Sequence, residues 1–308
     1  MASDKSIPNV EVLLATFNGE KYLTEQLDSL LAQRGVRLSM LVSDDGSSDE
    51  TLTILRSYIH LFPEFRILDG PKKGPQENYF YLLSHASGEF VALCDQDDVW
   101  EPDHLANSLA RLKLGVPSVT FSAVREFTTD QASGSTIWPK KIKINSIKNI
   151  LFENPARGCT IVMNKSFLDI AMSEVPKNSI MHDWWIVLVA MSYKCLTASA
   201  MPEVRYRIHE NNVVGPTPSA RTKFRRFAKI ICSGSLLTVD QLRDLYAIHA
   251  SKMTPQEMKL LSIWKSPVGA QSLIKQVLSG SRYRSNLIEE VALRCTFIWI
   301  WLLERLRR

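Results

Sequence analysis

Three carboxylates stand within four residues in Asp95-Gln96-Asp97-Asp98, directly after the apolar run Phe90 to Cys94. Carboxylates held so close raise one another's pKa unless a cation or several donors compensate. A divalent ion held through oxygen ligands is the simplest compensation; an acidic turn that favours the next helix N-terminus is the plainer alternative. A second pair opens the loop Asp44-Asp45-Gly46-Ser47-Ser48-Asp49, and a third polar turn, Thr16-Phe17-Asn18-Gly19, follows the run Val10 to Ala15. Met singly, Asn-Gly and Asp-Gly are ordinary turn dipeptides. Further on, Asp183 precedes Trp184 and Trp185, and His209 lies between Arg207 and Asn211-Asn212. A carboxylate desolvated by two indoles is suited to taking a proton, although Asp183 equally suits the start of the apolar helix that follows it.

The segments that must position these groups alternate between two periods. Val10 to Ala15 is apolar except for Glu11, and Tyr22, Leu23, Leu27, Leu30 and Leu31 then recur at helical spacing. The unit repeats with Leu38 to Ser43 as strand and Thr51 to Tyr58 as helix, where Ser48 or Asp49 is placed to cap. Phe65 to Leu68, Gln76 to Ala86 and Phe90 to Cys94 continue as strand, helix, strand. This alternation predicts an α/β fold with a mostly parallel sheet covered on both faces. In such sheets ligands bind beyond the C-terminal strand ends, where all three polar turns fall. A helix over Asp103 to Leu114 and a strand over Ser118 to Phe127 follow, and the polar stretch Thr128 to Lys143 reads as an insertion or a loop over the site. Beyond it come a short apolar run, Cys159 to Met163, helices around Phe167 to Met172 and Ile186 to Met191, and an extended segment, Leu196 to Arg207.

A chain of 308 residues with 45% hydrophobic residues buries a full core. Its five cysteines, Cys94, Cys159, Cys195, Cys232 and Cys295, form no C-x-x-C pair and read as buried thiols of a reducing compartment. The first nine residues carry no apolar leader, so a cytoplasmic location is expected. Charge is uneven: residues 1–205 hold 20 Lys and Arg against 25 Asp and Glu, net −5, and residues 206–308 hold 17 against 7, net +10. The linker Gly215-Pro216-Thr217-Pro218-Ser219 divides a body, 1–215, from a basic helical tail, 216–308. In the tail Phe224, Phe227, Ala228 and Ile231 share a face apart from Arg221, Arg225 and Lys229, which favours a membrane surface over nucleic acid. Val291 to Leu303 carries Phe297, Trp299 and Trp301 but falls short of the roughly 20 apolar residues that span a bilayer. It is expected either as an interfacial anchor or as a helix packed on its own domain.

Taken in order, Thr16-Phe17-Asn18-Gly19, the Asp44-Asp45 loop, Asp95-Gln96-Asp97-Asp98 and Asp183 resemble the family 2 glycosyltransferases of the GT-A fold over about residues 8–215. The segment Tyr206-Arg207-Ile208-His209-Glu210-Asn211-Asn212 is similar to the bacterial rhamnosyltransferase-type branch. The resemblance implies inverting transfer of a sugar, rhamnose among the candidates, from a dTDP- or UDP-linked donor to a glycan or lipid-linked oligosaccharide acceptor. It implies Mn²⁺ or Mg²⁺ held by Asp97, with Asp95 on the ribose or on the metal through water. His209 is placed as a further metal or pyrophosphate contact, and Arg207 as a neutraliser of phosphate. Thr16, Asn18 and one of Asp44 and Asp45 would hold base and ribose, with Asn78 in a donor-contacting loop. Asp183 would be the general base, with Trp100 and Trp184 lining the sugar pocket. Two other functions fit strand-end carboxylates: a nucleotidyltransferase that makes the activated sugar, and a non-catalytic carbohydrate- or membrane-binding module. The first calls for a Gly-rich phosphate loop with Lys or Arg after the first strand, which Phe17-Asn18-Gly19-Glu20 lacks.

Overall fold

The computed structural model describes residues 7–128, 131–139, 147–210, 235–262, 264, 274, 277–280, 283–284 and 287–306. The chain divides into two compact units, one of residues 1–142, 156–175 and 195–212, the other of residues 143–155, 176–194 and 213–308. Asn211-Asn212, the linker Gly215 to Ser219 and the amphipathic pattern over 221–231 lie outside the described residues.

In the first unit, β1 (Asn9–Thr16), β2 (Arg37–Asp44), β3 (Glu64–Asp69) and β4 (Phe90–Cys94) alternate with α1 (Leu23–Leu31), α2 (Thr51–Tyr58) and α3 (Pro75–His85). The strands lie in the order β3-β2-β1-β4 with parallel pairing throughout. Val12, Leu13, Leu14 and Val91 to Cys94 are fully buried, as expected of strands covered on both faces. Glu11 interrupts β1 for a reason: its Oε2 accepts the N–H groups of Ser87 and Gly88 at 2.7 and 2.8 Å and caps the turn into β4. At the start of α2 it is Asp49 that accepts the Thr51 N–H, at 3.1 Å.

Beyond β4 the sheet becomes mixed. It continues through β8 (Val162–Asn164), β6 (Val119–Thr128), β9 (Leu196–Arg207) and the short β5 (Val99–Trp100), with α4 (His104–Arg111) and α6 (Lys165–Ser173) beside it. The expected loop after β6 contains a strand instead: β7 (Gln131–Trp138) pairs antiparallel with β6, Ile137 opposite Arg125 and Trp138 opposite Val124. Gln131 to Thr136 carries no apolar alternation, so only the backbone pairing identifies it. The β5–β9 ladder sets Val99 opposite Arg205 and Trp100 opposite Val204, which draws the acidic turn after β4 to the end of β9. Nearby, Arg111 forks onto Glu203 at 2.6 and 2.7 Å, and His104 Nδ1 lies 3.3 Å from the same carboxylate. Burial works to raise the Glu203 carboxyl, but these hydrogen bonds outweigh it and hold the group below its ordinary value.

The second unit is helical: α5 (Ile147–Ile150), α7 (His182–Ser192), α8 (Ser235–His249), α9 (Pro255–Ser262) and α10 (Leu287–Leu306). Side chains of α8 tie down the segment before α7, Gln241 Oε1 accepting the Ile180 N–H at 2.9 Å and Asp244 Oδ2 that of Asn178 at 2.7 Å. Phe152, Trp264, Tyr283 and Phe297 pack ring on ring, so α10 is anchored through Phe297. The opposite face of α10 is open, with Leu287, Val291, Ile298, Trp299 and Leu302 all exposed. No described helix is long and apolar enough to cross a membrane. Cys94 and Cys159 are buried as expected, whereas Cys295 is exposed because it lies on the open side of α10.

Candidate active site

Because Thr16 is in register with Asp44, and Leu14 with Cys94, the loops leaving β1, β2 and β4 begin side by side. They are then stitched together. Thr16 Oγ1 donates to Asp44 Oδ1 at 2.9 Å, and Asp44 Oδ2 accepts the N–H groups of Gly46 and Ser47 at 3.2 and 2.8 Å. Gly46 has φ +96°, a left-handed conformation that favours glycine. Asn18, itself at φ +47°, accepts the Ser48 N–H on its amide oxygen at 2.9 Å. Asp45 reaches the other way, accepting the N–H groups of Lys72 and Gly74 at 2.6 and 2.7 Å. Gln96 pairs with the Phe17 peptide on both sides, accepting its N–H at 2.9 Å and donating to its C=O at 3.0 Å. This clamp needs the glycine at 19, where an added Cβ would stand 2.3 Å from Gln96 Oε1.

The three carboxylates of the β4 turn have three different environments. Asp95 accepts the Tyr79 hydroxyl at 2.7 Å, and burial together with that carboxylate holds the phenol well above its usual pKa. Asp98 is fully buried; it accepts the Arg207 N–H at 3.0 Å and the Cys159 thiol bonds to it. Burial first, then Asp97 and Asp95, push its carboxyl well above the carboxylate range, which favours the neutral form. Asp97 is partly exposed, its Oδ2 2.7 Å from His209 Nε2, with both side chains about one-sixth exposed.

A carboxylate oxygen and an imidazole nitrogen that converge at a strand end are a donor set fit for a divalent cation, Mn²⁺ as readily as Mg²⁺. The ligand atoms of Asp95, Asp98 and Cys159 also lie within 4.8 Å of one another. That trio is a poorer seat for Mn²⁺ or Mg²⁺, because one of its three ligands is a soft thiol and those ions prefer oxygen.

Several expected roles need correction. Trp100 does not line an open pocket: it is 2% exposed and packs edge-on against His104 at 4.7 Å. Asn78 is 1% exposed and ties α3 to β2, donating to the Ser43 C=O at 3.0 Å and accepting the Ser43 hydroxyl at 2.5 Å. Arg207 is not a free phosphate neutraliser. It is 3% exposed, donates to the Asp97 C=O at 2.8 Å, pairs with Glu25 and lies over the Tyr22 and Phe127 rings. In the second unit Trp184 is buried, its indole N–H bonded to the Ile150 C=O at 2.7 Å, and Trp185 is wholly buried, so neither offers a face to a sugar. Nine of the eleven residues of α7 are buried, which makes both indoles core. Asp183, in the first turn of α7, accepts the Trp184 N–H at 2.7 Å, a cap-like contact that orients its carboxylate. Sequence reasoning missed the parts played by Gln96, Tyr22, Glu25 and Cys159; of these only Gln96 carried a signal, its place inside the acidic motif.

Comparison with known proteins meets this geometry from outside. A family model described as glycosyl transferase family 2 matches residues 11–169. The dTDP-rhamnosyl transferase RfbG of Shigella flexneri is 29% identical over 230 residues, 70% of this chain and 78% of that protein. Among solved structures, S. aureus TarS 1-349 in complex with UDP-GlcNAc superposes with a TM-score of 0.57 at 18% identity, covering 95% of this chain and 81% of that one. The mannosyltransferase PcManGT from Pyrobaculum calidifontis, in complex with GDP-Man and Mn²⁺, gives 0.55 at 18% identity, covering 99% and 89%. The matched model takes in more than half of the chain and all three strand-end loops, and the chain belongs to glycosyl transferase family 2, as a glycosyltransferase of the GT-A fold.

Proposed function

We propose that this glycosyltransferase moves a sugar, rhamnose in the favoured case, from a dTDP- or UDP-linked donor to a hydroxyl of a polysaccharide or lipid-linked glycan, with inversion and with a divalent metal. The observation that carries the reading is the Asp97–His209 pair, 2.7 Å apart at the end of β4. The similarity to a dTDP-rhamnosyl transferase supports the donor, and the Mn²⁺ and nucleotide sugar in the mannosyltransferase structure support the metal.

Asp97 and His209 would hold the ion, Mn²⁺ or Mg²⁺, which when bound neutralises charge on the departing diphosphate. The protein's own work is positioning. Arg207 fixes the Asp97 backbone, Gln96 fixes the first loop, and Asp45 fixes the 72–74 loop, so that Asn18 and Asp45 frame the nucleotide pocket, while Thr16, 1% exposed and bonded to Asp44, supports the turn from behind. Asp95, steadied by Tyr79, serves the ribose or the metal shell. Asp183 takes the proton of the acceptor hydroxyl as that oxygen attacks the anomeric carbon opposite the nucleotide. The open apolar face of α10, in a region of net charge +10, supports peripheral attachment to the inner face of the cell membrane, where lipid-linked acceptors reside.

The test is release of nucleoside diphosphate from a panel of dTDP- and UDP-sugars with Mn²⁺, Mg²⁺ or chelator. Release that persists undiminished in chelator overturns the metal role, and release from no member of the panel overturns the donor class.

A further inference from the structure

The Tyr22 ring is shared by Arg207, the last residue of β9, and by His209 just beyond it. His209 stacks on it with ring centroids 5.1 Å apart and planes inclined by 29°, and the Arg207 guanidinium lies 4.6 Å from the same ring. Arg207 closes β9 and His209 lies two residues beyond it, and both side chains meet one partner. Tyr22 is held in turn: its N–H bonds to the Gly19 C=O at 3.0 Å, and Glu25, one turn along α1, pairs with Arg207. Among the described residues the Tyr22 side chain makes no hydrogen bond to Asp97 or to an expected substrate-binding residue; what it offers is a flat face.

We propose that Tyr22 is a positioning residue for the metal pair, fixing the plane of the His209 imidazole so that Nε2 faces Asp97; this rests on the metal reading above. An imidazole coordinates only along its in-plane lone pair, so rotation of the ring removes a ligand without removing the residue. Residues around a metal ligand that fix its orientation typically tune affinity by about ten- to a hundredfold. Stacking supplies that restraint here, and Arg207, clamped to the Asp97 C=O, fixes the other ligand from the same platform.

The experiment is titration of the full-length protein with Mn²⁺ alone, free Mn²⁺ being read by electron paramagnetic resonance, for wild type, Tyr22→Phe, Tyr22→Leu, Tyr22→Met and Asp97→Asn. Tyr22→Phe keeps the flat face and is expected within about twofold of wild type, whereas Leu and Met, which keep apolar bulk, weaken Mn²⁺ binding roughly tenfold or more. Should Tyr22→Leu fail to fold by circular dichroism, Tyr22→Met decides. Wild-type affinity in the Leu or Met variant while Asp97→Asn loses the ion overturns the positioning role and leaves the metal reading standing. Wild-type affinity in Asp97→Asn overturns the metal reading itself.

Discussion

Acid should destabilise the second unit through one histidine. His182, the first residue of α7, is 3% exposed, and burial lowers its pKa from the ordinary 6.5 to about 3. The unfolded chain therefore binds a proton below about pH 6.5 that the folded chain refuses, so the stability it contributes is complete above that value and falls as pH drops toward 3. Between about pH 7.5 and about pH 5 the loss amounts to about 2 kcal/mol, and any folded value below about 4 gives the same figure. The assay is urea unfolding of wild type and His182→Leu at both pH values, followed by the fluorescence of Trp184, Trp185 and Trp264, which belong to the same unit. Wild type should lose about 2 kcal/mol more than the variant on acidification. Groups common to both proteins cancel in that difference, including His104, whose pKa burial also lowers. Equal losses would refute the argument. The result bears on catalysis too, because His182 adjoins Asp183, and an acid limb in the rate profile of wild type must be separated from this unfolding before it is assigned to a base.

Asp183→Asn should leave the affinity for UDP or dTDP unchanged by calorimetry while kcat falls about 10²- to 10⁴-fold; near-normal turnover removes Asp183 from the mechanism. Gly19→Ala should force Gln96 aside and break its two bonds to Phe17, costing roughly 1–3 kcal/mol and raising the donor KM. Gln96→Ala should do the same, and the double variant should be no worse than either alone, since both remove one clamp; full additivity would show that the clamp is not what they share. Val291→Glu with Ile298→Glu, both on the exposed face of α10, should reduce co-sedimentation with anionic vesicles, and unchanged partitioning would exclude that face as the attachment site.

Much of this architecture was legible in the residues. β4 begins and ends where its apolar run does, and β9 spans the extended segment Leu196 to Arg207. Apolar periodicity reports burial directly, which is why these elements could be read. It says nothing about which way a side chain turns: the resemblance placed Asn78, Trp100 and Arg207 around the donor, and each proves to be packed inward. β7 went unread because an edge pairing is made by backbone groups, which every sequence possesses. Contacts between distant segments left no local trace, as with Tyr22 and His209, or Asp98 and Cys159. Family membership sets aside the two other functions considered, the sugar nucleotidyltransferase and the non-catalytic module.

The interleaving of the chain between its two units has a practical consequence for dissection. Residues 143–155 and 176–194 belong with the C-terminal helices, although they precede β9 in sequence. A stop codon near residue 215 would therefore not trim an appendage. It would withdraw Gln241 and Asp244 from the Asn178 to Ile180 segment and Phe297 from Phe152, leaving α7 and its carboxylate on an orphaned scaffold. Loss of turnover in such a truncation would say little about lipid, and single-residue changes on the outer side of α10 are the cleaner instrument.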